Sequence, residues 1–308
     1  MSENRSKALL SILILVVIFF IILMIFSFYT LNIFKGDHSI GLENGNGKAK
    51  IAVVEIDGVI MDSKDTIEKL QMAKKDTDVK AIIVRVDSPG GAVGPSQEIY
   101  QEIRYIDEDK EKGKPVYASF ASIATSGGYY IGAAARKIFS NPGSLTGSIG
   151  VIMQFVDLSK LYKWAKIKPM TVKAGKFKDT GTPNRNFTPE ERELMNKMLA
   201  GVHSQFREDI LKTRKDRIKG NFEELSQGQI FSGQYAYEKG LVDELGGLWE
   251  AGRKIHEELK LEGEPKLVFV KKKKKFSFVD IFEEFDSVYS QLKGLFSIGT
   301  KPMYLMEN

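Results

Sequence analysis

Four short segments carry the groups that could do chemistry. The chain has no cysteine, and its only histidines are His38, His203 and His256, none in a spacing such as H-E-x-x-H. Thiol nucleophiles, disulfides and thiolate metal sites are excluded, and a general base would be something other than histidine. The first segment is Asp87-Ser88-Pro89-Gly90-Gly91-Ala92, directly after the apolar run AIIVRV. Adjacent glycines there let the backbone turn tightly and aim free amides at an anion, although a plain strand-to-helix turn has the same composition. The second is Thr125-Ser126-Gly127-Gly128-Tyr129-Tyr130. A serine ahead of two glycines and a helix-forming run is either an N-cap or a hydroxyl placed where a helix N-terminus stabilises developing negative charge. The third, Val172 to Thr180, holds Lys173, Lys176 and Lys178. Such lysines ordinarily form a solvated face. A lysine acting as a base at neutral pH must be uncharged, which costs about 4.6 kcal/mol and calls for a dry site without a direct carboxylate partner. If Lys178 is that base, Asp179 must point elsewhere. The fourth is Thr146-Gly147-Ser148-Ile149-Gly150. Ser148 is an ordinary turn serine or a hydroxyl that orients a neutral amine.

These segments must be positioned by a fold. Strand-like runs at 51–56, 81–86, 116–120 and 170–172 alternate with helical patterns, which predicts an α/β fold of βαβ units with strands buried on both faces. Thr188 and Glu191 form a predicted capping box with Pro189 at the first helical position. Met195, Met198, Leu199, Val202, Phe206 and Ile210 follow as one apolar face, with the methionines read as core.

Both ends differ from this body. Ala8 to Leu31 is free of charge and rich in Ile, Leu, Val and Phe, which predicts one transmembrane helix in residues 1–34. No small-residue cleavage pattern follows it. Arg5 and Lys7 place the N-terminus in the cytoplasm and the body outside it, in the cell's inner (plasma) membrane. Residues 35–48 read as a linker, 49–270 as the main domain, and 271–308 as a basic run with an amphipathic tail. That tail packs on protein or attaches to anionic headgroups; the pattern leaves both open. The net charge is +5, and Lys271 to Lys275 account for all of it, so nucleic acid is not an expected partner.

In this order, SPGG, SGGYYI, TGSIGV, KAGKFKD, TPEERELM and SGQYAYEKGLVDELGGL resemble the signal peptide peptidase A family, from about Ile51 to Ala251. These are serine–lysine peptidases on the Clp protease/crotonase-like fold of repeated ββα units. The resemblance implies Ser126 as nucleophile, Lys178 as general base and Ser148 as the serine that holds the lysine amine. It implies oxyanion amides at Gly91 and Gly127, and neither cofactor nor metal. It further implies apolar signal-peptide-like substrates and a ring-shaped homo-oligomer, in which the lysine and serine of one active site can come from the same or from neighbouring subunits. Thr125 stands where the family usually has Ala, and Asp87 where it often has Asn. Competing expectations are a stomatin-partner-type membrane protease of the same superfamily, a crotonase-type acyl-CoA enzyme, and a catalytically silent membrane scaffold.

Overall fold

Near-continuous runs of Ile, Val and Ala leave no polar face, so such strands must be covered on both sides. The computed structural model describes residues 15–24, 26 and 49–271, and there the runs form the centre of a sheet. β1 (Lys50–Asp57), β2 (Val79–Ser88) and β3 (Val116–Thr125) are parallel, with Val54 opposite Val84 and Val84 opposite Ala118. The crossovers are α1 (Lys64–Lys75) and α2 (Val93–Glu108). Ala52, Val54 and Ile56 face one side with Leu70 of α1 and Ile99, Ile103 and Ile106 of α2. Burial of each such Val, Ile or Leu side chain contributes about 1.5–3 kcal/mol. Ile51, Ala81, Ile83 and Tyr117 face the other side, beneath Ala251 and Ile255 of a later helix, Leu248–Glu258.

After α3 (Gly127–Ala133) the sheet forks. The first half of β3, Tyr117 to Phe120, pairs with β4 (Lys137–Ser140), and its end, Ile123 to Thr125, pairs with β5 (Leu145–Gly147). α4 (Ser159–Trp164), α5 (Pro189–Arg214) and α6 (Phe222–Leu225) follow. Next come β6 (Ile230–Ser232), antiparallel to β5, α7 (Gly233–Glu238), and β7 (Glu244–Leu245), parallel to β4. α8 (Leu248–Glu258) leads to β8 (Lys266–Phe269), which joins β1 in parallel. The mixed α/β sheet fits a Clp protease-like architecture.

Two sequence expectations are corrected. Residues 170–172 form no strand: Met170 and Val172 stand almost fully exposed, because no described strand offers them an edge to bond. The capping box at Thr188 and Glu191 is present, but the apolar face of α5 is covered only towards its end. Phe206 and Ile210 are buried while Met198 is exposed, so Met198 is not core. Residues 15–24 are helical and apolar, and no helix among the described residues is long and apolar enough to cross a membrane. Most of the predicted anchor, the linker up to Lys48 and the tail beyond Lys271 lie outside the described residues.

Candidate active site

In open parallel sheets the binding crevice lies beyond the carboxyl ends of the strands, where neighbouring connections part. The SPGG turn leaves β2 there and Ser126 leaves β3. Ser126 occupies the N-cap position of α3, yet its side chain makes no cap hydrogen bond. Its backbone is at φ 53°, ψ −119°, a conformation that costs a non-glycine residue about 1–3 kcal/mol. The turn is held from both sides: the Ser126 amide donates to the Gly147 carbonyl at 2.8 Å, and the Tyr130 amide donates to the Ser126 carbonyl at 2.9 Å. The N-cap alternative therefore describes the position of Ser126 but not the use of its hydroxyl.

The SPGG turn lies against this residue. The Ile60 amide donates to the Gly90 carbonyl at 3.0 Å, and the Ala92 amide donates to the Ile60 carbonyl at 2.7 Å. Gly91, between them, has its own amide turned to the other side, where Gly127 lies: the Gly91 nitrogen is 3.3 Å from the point a Cβ on Gly127 would occupy. Neither the Gly91 nor the Gly127 amide donates a hydrogen bond among the described residues. Two adjacent unspent amides are what an anion or an oxyanion requires. The close approach demands glycine. At Gly90, with φ +100°, a Cβ would lie 2.8 Å from the Gly127 nitrogen and 2.9 Å from the Ser126 Cβ. At Gly127 it would lie 2.5 Å from the Ser96 hydroxyl.

The two departures from the family pattern brace this arrangement. Thr125 is buried, and its hydroxyl donates to the Pro89 carbonyl at 3.1 Å, tying the two turns together. Asp87 accepts from the Ile123 amide at 3.1 Å, where the β2–β3 register shifts between Val86 and Ser88. The register pairs Thr125 with Gly147, so Ser126 and Ser148 are the next residues out of parallel strands. Ser148 also has positive φ, at 50°, and its amide donates to the Gln229 carbonyl at 2.6 Å.

Lys178 is elsewhere. It is exposed on a turn, its amide donates to the Gly175 carbonyl at 3.3 Å, and it does not line the Ser126 cleft. Asp179 pairs with Lys173, and with Arg185 at 3.0 Å, which hold its carboxyl below the usual range; it forms no pair with Lys178. The structure thus brings together Ser126, Gly91 and Gly127, with Ser148 just beyond the adjoining strand, while Lys178 does not line their cleft.

Val93, Val151, Val202 and Phe206 give the cleft beside Ser126, Gly91 and Gly127 an apolar lining. Its polar edge comprises Gln97 and Tyr130, whose hydroxyl donates to the buried Asp209 carboxylate. Burial and that carboxylate push the Tyr130 hydroxyl far above the ordinary phenol range. The preceding Tyr129 donates to the Leu241 carbonyl at 3.0 Å, so both tyrosines of SGGYY pin α3 from behind. Asp209 and Gln97 escaped sequence reasoning, and Val151 was read only as part of the TGSIGV segment. The apolar period of α5 did point to Val202 and Phe206, though as core and not as a cleft wall. Of the two described histidines, His203 bonds the carbonyls of Ile149 and Ser226, and neither His203 nor His256 lines the cleft.

Residues 108–262 match the family model described as Peptidase family S49, a span that includes Ser126, Ser148 and Lys178 but begins after Gly91. A protein of Enterococcus faecium named "Putative signal peptide peptidase SppA" is 32% identical over 245 residues, covering 74% of this chain and 70% of that protein. The chloroplastic serine protease SPPA of Arabidopsis thaliana is 36% identical over 190 residues, 61% of this chain and 27% of that protein. Protease 4 of Haemophilus influenzae is 34% identical over 229 residues, 70% of this chain and 36% of that protein. The chain thus spans only about a third of the longer relatives.

Proposed function

The chain belongs to peptidase family S49, that of the signal peptide peptidase A proteases, and on that premise we propose that it is a membrane-anchored endopeptidase with a Ser126–Lys178 dyad. The observation that carries this reading is the uncapped hydroxyl of Ser126 beside the unspent amides of Gly91 and Gly127. Neutral Lys178 takes the proton of the Ser126 hydroxyl as its oxygen bonds to the peptide carbonyl carbon. The oxyanion sits between the two amides, and removing one such donor typically costs on the order of 10²- to 10³-fold in rate. The C–N bond then breaks, the amine leaves with the proton Lys178 carried, and water hydrolyses the ester to regenerate Ser126. Ser148 orients the lysine amine.

The apolar cleft supports apolar peptides as substrates, and remnant signal peptides left in the membrane are of that kind. The charge-free stretch from Ala8 to Leu31 supports a single-pass anchor, with the N-terminus cytoplasmic and the catalytic domain outside. The exposure of Lys178 and its absence from the lining of the Ser126 cleft support a site shared between copies. So do the exposed side chains of Ile152, Val156, Trp164, Met170 and Val172, an apolar surface of the sort a ring of subunits covers. Assembly would also supply the dry surroundings that a neutral Lys178 needs.

Cleavage of signal-peptide-like peptides tests the dyad. Ser126→Ala and Lys178→Ala each lower the rate by on the order of 10⁴-fold or more. Mixing the two inactive variants, dissociated and reassembled, restores roughly a quarter of wild-type activity, because that fraction of shared sites holds both groups. Full activity in either variant refutes the dyad, and no recovery on mixing refutes the shared site.

A further inference from the structure

Five lysines converge at the opposite end of the sheet from Ser126. Lys74 and Lys75 end α1, Lys80 begins β2, and Lys112 and Lys114 lie on the loop into β3. They line an open cleft of about 770 Å³ in which Glu102 is the one carboxylate among the described lining residues. No residue is common to this cleft and the one at Ser126.

The fold fixes the amines of Lys74, Lys80 and Lys114 in place. The Asp109 carboxylate accepts from the amides of Glu111 and Lys112, both at 3.0 Å, and from Lys74 Nζ at 2.8 Å. Those hydrogen bonds, the Lys74 one foremost, hold the Asp109 carboxyl down at about 2. The Gly113 amide donates back to the Asp109 carbonyl at 2.9 Å, and a Cβ on Gly113 would lie 2.1 Å from that same oxygen. Lys74 Nζ also lies 4.0 Å over the Tyr105 ring. Lys114 Nζ donates to the Ala73 carbonyl at 2.8 Å and to that of Asp76, at the carboxyl end of α1. Lys80 Nζ donates to the Thr77 carbonyl at 2.9 Å. Lys74 is thus the one lysine of the five with a carboxylate pair among the described residues, and Lys75 and Lys112 form no ion pair there. Like charges held this close repel, and an anion between them relieves the repulsion.

We infer that this cleft binds a phosphate-bearing anion, and that the headgroup of an acidic membrane lipid is its source. The phosphate chemistry follows from the fixed lysines. The lipid source follows from where the chain enters: the Lys50 amide donates to the Asp78 carbonyl at 3.0 Å, and Lys50 Nζ pairs with the Asp78 carboxylate at 3.2 Å. The polypeptide arriving from the apolar N-terminal segment therefore joins the fold at the same edge. The lipid assignment rests on the anchored reading given above.

The test uses the full chain in dodecyl maltoside, with acetylation of each lysine by an N-hydroxysuccinimide ester followed by mass spectrometry. Dihexanoyl-phosphatidylglycerol is expected to slow Lys75, Lys80 and Lys112 several-fold and to leave exposed Lys215 unchanged, whereas dihexanoyl-phosphatidylcholine slows none. The double substitution Lys75→Gln, Lys112→Gln is expected to raise the concentration that protects Lys80 by on the order of tenfold, with peptidase activity unchanged. Inorganic phosphate is the second arm. Protection by phosphate but not by phosphatidylglycerol overturns the lipid source, and protection by neither overturns the site. The anchored reading is read out separately: a full chain that stays in the aqueous phase after detergent removal refutes the anchor and leaves the phosphate arm standing.

Discussion

Gly90 decides how closely the nucleophile and its anion donors approach. Because φ there is +100° and a Cβ would crowd both the Gly127 nitrogen and the Ser126 Cβ, Gly90→Ala moves the reacting groups apart. It is expected to lower kcat by on the order of 10²- to 10³-fold while the thermal melt stays cooperative. Gly94, nearby on α2, meets nothing within 4 Å, so Gly94→Ala is expected to keep full activity and to gain about 0.5–1 kcal/mol of stability. Steady-state kinetics and melting of the two variants check the pair. The sequence marks SPGG as a turn. That Gly90 packs on a serine 36 positions later is a relation between two strand ends, and only the register of β2 on β3 supplies it.

At the level of elements, α5 shows what a pattern of residue types reveals and what it withholds. Thr188, Pro189 and Glu191 specify its start through local bonding, and the Glu191 amide does donate to the Thr188 hydroxyl, at 3.2 Å. Coverage of its apolar face depends on neighbours that the period cannot name, so Phe206 is buried and Met198 is not. In the same way, a strand at 170–172 needs an edge that the described sheet does not offer. Thr188→Ala is expected to cost about 1 kcal/mol in chemical denaturation. The Glu191 carboxyl is held down at about 2 by its hydrogen bonds from Arg185 and then by the Thr188 amide, against an ordinary value of 4.5. A lowered acid stabilises in full above its ordinary value and loses that contribution as pH falls towards the folded one. Acid titration from pH 4.5 to 2 is therefore expected to destabilise the wild type across this window, with a shallower slope for Glu191→Gln.

Across the whole molecule, the peptidase body is tied together behind its cleft. Arg214, fully buried at the end of α5, pairs with Asp243 at 2.9 Å and donates to the Gly240 carbonyl at 3.0 Å, while Asp243 accepts from the Ile138 amide of β4 at 2.7 Å. This explains the SGQYAYEKGLVDELGGL stretch without any catalytic role: it fastens α5 to the forked sheet. Arg214→Leu strands a carboxylate that Arg217 only partly compensates, and is expected to cost about 3 kcal/mol in urea unfolding. The α/β layering was legible because buried parallel strands have a distinctive composition. That Lys178 is exposed and does not line the Ser126 cleft was not, because residue order does not say which loops face the crevice at the strand ends. With its nucleophile sunk in a cleft and Lys178 displayed outside, a solitary newly made chain is, on the proposed reading, latent. Its cutting power would then be set by crowding in the bilayer: sparse copies spare the intact proteins around them, and proteolysis switches on at the density where subunits meet.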